Sequence, residues 1–161
     1  MTDFVINLLD FLSNELIVFV ISMVPLIELR GSIPVGLVFG IEPLRTFILT
    51  YPASLIPAPF IILFIHQVFK LLEKNKFFAR LIDRIVHSNR RKHSEKIEKY
   101  GYIGLFIIVA IPLPGTGVWS GSLAAAIFEM DFKKSMVAII LGNLVAAILI
   151  LIISMGVISF I

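Results

Sequence analysis

The chain contains no cysteine, which excludes disulfide bonds and thiol chemistry. Charge is scarce as well. Only 16% of its 161 residues are Asp, Glu, Lys or Arg, where a soluble domain carries about a quarter. The motifs of common enzymes are missing: there is no H-E-x-x-H, no Walker loop and no G-x-S-x-G. His66 sits about one helical turn before Lys70, a spacing that suits the edge of an apolar segment. His87 and His93 lie on a charged stretch without further obvious ligands, so no metal site, no cofactor and no enzymatic activity are expected. ATP-driven transport by this chain alone is disfavoured on the same grounds. The opening Met1-Thr2-Asp3-Phe4 lacks a basic region and a small-residue cleavage site, so it does not read as a signal peptide. The net charge of +3 comes from basic residues gathered in one block, which argues against a nucleic-acid partner.

What the chain has in abundance is apolar sequence. It is 58% hydrophobic with a mean hydropathy of +1.01. That composition predicts an all-α integral membrane protein forming a single membrane domain over residues 1–161. There is room for about four segments of ~20 residues and one polar linker. Residues 4–12 read as a short amphipathic helix lying on the membrane. Apolar segments follow over 16–41 and 45–72, then over 102–129 and 134–161. Residues 1–72 and 101–161 thus form two halves around a linker over 73–100. Ten of the fourteen basic residues fall between Lys70 and Lys99. Leu71, Leu72, Phe78, Leu81, Ile82, Ile85 and Val86 recur there at helical spacing. The linker reads either as a basic amphipathic helix on an anionic leaflet or as a solvated connector. Both readings place it in the cytoplasm by the positive-inside rule.

Two of the apolar segments are broken in the same way. The first break runs Pro25-Leu26-Ile27-Glu28-Leu29-Arg30-Gly31-Ser32-Ile33-Pro34-Val35-Gly36. The second runs Pro112-Leu113-Pro114-Gly115-Thr116-Gly117-Val118-Trp119-Ser120-Gly121. Irregular backbone at membrane depth must be buried in protein or line a wet cavity, and paired breaks point to a transport site. The halves also align downstream. Phe39-Gly-Ile-Glu42-Pro-Leu-Arg45 matches Phe128-Glu-Met-Asp131-Phe-Lys-Lys134, and in that register Ala53-Ser54 falls on Gly142-Asn143. If each broken segment is a re-entrant hairpin, its limbs (16–24 with 33–41, and 103–111 with 118–128) reach about half-way through a ~30 Å core. Each half then crosses once, the halves are inverted repeats, the termini lie outside, and Lys133 and Lys134 lie inside. If the broken segments span instead, the termini lie inside and these lysines outside. The hairpin arrangement satisfies the positive-inside rule better.

The residues with chemistry sit at the breaks. A charge near the bilayer centre costs at least ~2.5–3.5 kcal/mol on insertion scales, which makes Glu28 and Arg30 functional candidates. Glu28 suits a proton carrier, and Arg30 offers a fork of donors for phosphate or carboxylate. The plainer alternative is that the two neutralise each other. Gly31, Ser32, Gly115, Thr116, Gly117, Ser120 and Gly121 bring free backbone amides that suit an anion, or simply allow close packing. Asn143, in an apolar helix, needs a partner at the site or on a broken backbone near Pro52 or Pro57. Trp119 suits either ligand stacking or filling a hairpin tip. Glu42 with Arg45, and Asp131 with Lys134, read as surface i,i+3 pairs at helix starts.

Together, Glu28-Leu-Arg30-Gly31-Ser32-Ile33-Pro34-Val35-Gly36, Pro57-Ala-Pro59-Phe60, Pro112-Leu-Pro114-Gly115-Thr116-Gly117-Val118-Trp119-Ser120-Gly121 and Leu141-Gly142-Asn143 resemble the small multidrug export protein family. That family looks like a distant branch of the DedA (VTT-domain) superfamily. The resemblance covers nearly the whole chain. It implies two inverted repeats, each a re-entrant hairpin followed by a membrane helix. It also implies a secondary transporter that moves an anionic lipid such as a polyprenyl phosphate, coupled to protons or sodium ions. The alternatives are a multidrug exporter and a non-transporting scaffold. DedA proteins typically carry arginines in or beside the second hairpin. Here no arginine follows Arg91, so Arg30 is the only hairpin cation. The expected partners are membrane lipids and a coupling ion, and a chain this small suits a homodimer.

Overall fold

The computed structural model describes residues 14–72, 101–113 and 115–159. The amphipathic reading of 4–12 and the linker reading of 73–100 lie outside the described residues. Every regular element among the described residues is a helix. We label them α1 (14–22), α2 (Glu28–Val38), α3 (Pro43–Leu55), α4 (Pro57–Leu72), α5 (Gly101–Ala110), α6 (Val118–Ile127) and α7 (Phe132–Ser159).

Among the described residues, two apolar stretches are long enough to cross a bilayer. Pro43–Ile65 has 23 residues and joins α3 to most of α4, and Phe132–Val157 has 26 residues within α7. At ~1.5 Å per residue both exceed a ~30 Å core. Helices α2 and α6, with 11 and 10 residues, reach about half of it. α7 has apolar side chains on all sides, and Val145, Ile148, Leu149, Ile152 and Ile153 are exposed, as expected of a helix in lipid.

The prolines act differently from the expectation of a wide break. Pro34 and Pro52 lie inside α2 and α3. α2 begins at Glu28, so Glu28–Ser32 form its first turns and the first break shrinks to residues 23–27. Pro43 and Pro57 open α3 and α4, where a missing N–H costs no intrahelical bond. Between those two helices, Ile56 keeps a right-handed helical backbone (φ −54°, ψ −42°).

The described helices form two compact units. One holds α1–α3 and α7 from Leu144, and the other holds α4–α6 and α7 up to Asn143. In the first, Leu29 and Ile33 of α2 pack with Ala146, Ala147 and Ile150 of α7, flanked by Phe47 and Tyr51 of α3. A Cβ on Gly36 would lie 2.7 Å from Thr46 and 3.4 Å from Val18, so α1 and α3 close on α2 at that glycine. In the second unit α4 packs against α6. A Cβ on Gly121 would stand 2.5 Å from Val109, and one on Gly142 would stand 2.7 Å from the Phe106 carbonyl oxygen. Small residues thus permit helix contact where lipid gives no hydrophobic drive.

The turn after each short helix is built alike. Phe39, Gly40 and Ile41 donate their N–H groups to Val35, Leu37 and Gly36. Phe128, Glu129 and Met130 donate theirs to Ala124, Ala126 and Ala125, the same pattern in the register of the sequence alignment. The left-handed residue is Gly40 (φ 77°) in one turn and Glu129 (φ 50°) in the other, a usual helix C-terminal device. Thr46 N–H then bonds Glu42 O as Ser135 N–H bonds Asp131 O.

Gly142→Ala is expected to destabilise by about 1–3 kcal/mol, since the added methyl meets backbone. Gly104→Ala, where a Cβ meets nothing within 4 Å, is expected to gain up to about 1 kcal/mol of helix propensity. Thermal unfolding in detergent measures both, and equal effects would contradict the packing described.

Candidate functional site

The first break is tight and strained. Leu26 (φ 74°) and Glu28 (φ 42°) are left-handed without being glycine, a conformation costing about 1–3 kcal/mol each. Glu28 is buried, and its N–H bonds Val24 O at 3.1 Å. The Ser32 hydroxyl donates to the Glu28 carbonyl at 2.6 Å, and Gly31 N–H bonds Ile27 O at 2.9 Å. Arg30 Nη1 donates to Glu28 Oε2 at 3.0 Å. Their side chains are 17% and 5% exposed, so the guanidinium is the more accessible member. The structure therefore brings Glu28, Arg30, Gly31 and Ser32 together, and it shows the first two as an ion pair.

The second break handles the same problem with glycine. Gly115 (φ 82°) and Gly117 (φ 133°) take the left-handed positions at no steric cost. The Thr116 hydroxyl sits 2.8 Å from both Ile111 O and Leu113 O, and Ser120 donates to Gly117 O at 3.2 Å. These hydroxyls thus serve local backbone carbonyls. Trp119 is half-buried in the first turn of α6, and Asn143 is buried in α7. No group of three or more His, Asp or Glu suited to a metal ion occurs among the described residues.

Two expected surface pairs are rearranged. Arg45 pairs with Glu15 of α1 rather than with Glu42. Asp131 Oδ1 accepts the Lys134 backbone N–H at 3.0 Å, while the Lys134 ammonium lies 5.8 Å from the centre of the Tyr102 ring. An N–H in the first turn of a helix lacks an intrahelical partner, so a carboxylate placed there is worth more as a cap than in an exposed ion pair. Sequence reasoning also missed Ser122 and Ser135, whose hydroxyls are fully buried and lack a hydrogen-bond partner. The repeat register offered a signal for one of them: Ser135 aligns with the buried Thr46.

Two membrane-length apolar helices among the described residues, two broken apolar segments and a largely buried ion pair at one break are the make-up of a membrane transport protein. The family model described as "Putative small multi-drug export protein" matches residues 28–149, which is more than half of the chain. The chain belongs to that family. No curated protein and no solved structure matches it.

Breaking the ion pair one side at a time should be costly. Glu28→Leu alone is expected to lose about 3–5 kcal/mol, because Arg30 is left charged and largely buried. The double variant Glu28→Leu/Arg30→Met should recover most of that loss. Unfolding in detergent across the four proteins measures the coupling, and additive losses would show that the two side chains act independently.

Proposed function

We propose that this chain is a secondary transporter that exports small amphipathic molecules, with the Glu28–Arg30 pair as its switch. The observation that carries this reading is a charged pair buried at a strained break in an apolar segment, within a chain of the export family. A closed pair is neutral, so the resting site leaves no bare charge in lipid. Protonating Glu28 removes the Coulomb attraction that holds Arg30 on its carboxylate. A cationic substrate achieves the same end by taking the place of Arg30 on the carboxylate. Either event gives two states of the same break, which is what ion coupling requires.

In this reading each broken segment is a re-entrant hairpin and the two repeats are inverted. The termini lie outside and the linker over 73–100 lies in the cytoplasm. The chain is no enzyme, its coupling ion is a proton or a sodium ion, and a homodimer builds the full pathway. A second reading follows from the exposure of the pair. Arg30 is more exposed than Glu28, so the phosphate of an anionic lipid, such as a polyprenyl phosphate carried by a DedA-like relative, would meet the cation first.

Proteoliposomes with an imposed proton gradient separate these readings. Wild type is expected to move a cationic dye along with the gradient. The charge-free variant Glu28→Leu/Arg30→Met should lose at least about tenfold of that flux, even where its unfolding temperature is kept, since about 1.4 kcal/mol of lost coupling already gives that factor. Equal flux in both proteins would remove the pair from the mechanism. Movement of a fluorescent lipid phosphate, without movement of the dye, would select the second reading.

A further inference from the structure

At the start of α5 and α7 a shallow groove runs along the protein surface. It consists of two adjoining hollows of about 380 and about 240 Å³ that share Tyr102, Lys134 and Val137. Lys133 borders the larger hollow, and Ile103, Phe106 and Leu141 line the smaller. Cations therefore stand at one end, and the floor away from them is apolar. Tyr102 is held in place, because its hydroxyl accepts the Asp131 backbone N–H at 3.1 Å. The ring forms a shelf beneath the Lys134 ammonium.

The first repeat shows what is unusual here. There the aligned cation is Arg45, and Glu15 neutralises it. Glu15 stands one turn before the buried Val18 on α1, and Tyr102 stands one turn before the buried Leu105 on α5. The aligned Lys134 is thus set against an aromatic ring, where Arg45 meets a carboxylate. An aromatic face attracts an ammonium weakly but does not cancel its charge. Among the described residues no carboxylate forms an ion pair with Lys133 or Lys134. The nearest acid in sequence, Asp131, is occupied as the helix cap.

We propose that this groove binds one anionic phospholipid of the surrounding leaflet, with Lys133 and Lys134 on its phosphate and the apolar floor along an acyl chain. Charge complementarity selects an anionic headgroup, and the floor selects a lipid over a free phosphate. Val137 and Leu141 follow the lysines along one side of α7, as headgroup and chain follow each other into a bilayer. Tyr102 is an amphipathic ring of the kind enriched at membrane interfaces. The site rests only on the chain being embedded in a membrane, so it stands or falls separately from the export reading.

Native mass spectrometry of the full chain in non-ionic detergent tests it. The protein is offered phosphatidylglycerol and phosphatidylcholine with the same acyl chains. Wild type is expected to retain one phosphatidylglycerol selectively. Lys133→Gln/Lys134→Gln should cut that selectivity on the order of tenfold without lowering the unfolding temperature, because both side chains are exposed. Val137→Trp fills the groove with both lysines intact and should also release the lipid. Glycerol phosphate in millimolar excess should leave the lipid bound. Unchanged selectivity in the lysine variant would overturn the site. Retention in the Val137→Trp protein, or displacement by glycerol phosphate, would reduce it to a free-anion contact and overturn the lipid assignment.

Discussion

An apolar chain that interrupts its own helices must still satisfy the backbone groups it frees. No water is at hand inside a bilayer, and each unsatisfied group costs several kcal/mol. Much of the described structure follows from that constraint. The hydroxyls of Ser22, Ser32, Thr50 and Ser54 each turn back onto a carbonyl of the preceding turn. Thr116 covers carbonyls of the second break. α2 and α6 end in left-handed turns that return N–H groups to the last carbonyls. Side chains that look like ligand donors in the sequence are thereby committed to the fold, which narrows the candidate site to groups left with chemistry to spare.

The two repeats share this scaffold and differ in what they place on it. One break pays strain for Leu26 and Glu28 in left-handed positions, and the other uses Gly115 and Gly117. One helix start neutralises its cation with Glu15, and the other rests it on Tyr102. Among the described residues, one half thus carries a charged pair at its break, and the other carries a lysine set against a ring. The charged candidate site therefore lies at the first break, where Glu28 combines a left-handed backbone with the ion pair.

Much of this frame was legible in the sequence. The apolar segments and the two breaks reappear, and the turns after α2 and α6 share one hydrogen-bond pattern, because hydropathy and Pro/Gly placement act locally. The start of α2 did not come through. The second limb was placed at 33–41, yet the helix already starts at Glu28, with Ser32 bonding back to the Glu28 carbonyl. The partners of Arg45 and Lys134 were also misread. Spacing along one helix cannot reveal a carboxylate or a ring on another helix, nor that Asp131 is worth more as a cap than as an ion pair. Ser122 and Ser135 were hidden for a related reason: burial of a small hydroxyl depends on which helix packs over it. The Glu28–Arg30 contact was open to two readings in sequence, function or mutual neutralisation, and the structure adds that the pair is closed.

The proposed function has the two like halves entering the membrane from opposite faces. The absence of cysteine makes a direct measurement clean. Single cysteines in place of Glu42 and Lys133, both exposed just after the matching turns, are labelled in intact cells with a membrane-impermeant thiol reagent. The account predicts labelling at position 42 from outside, and at position 133 only after the cytoplasmic face is opened. Labelling of both positions from outside would mean that the broken segments span, and would contradict it.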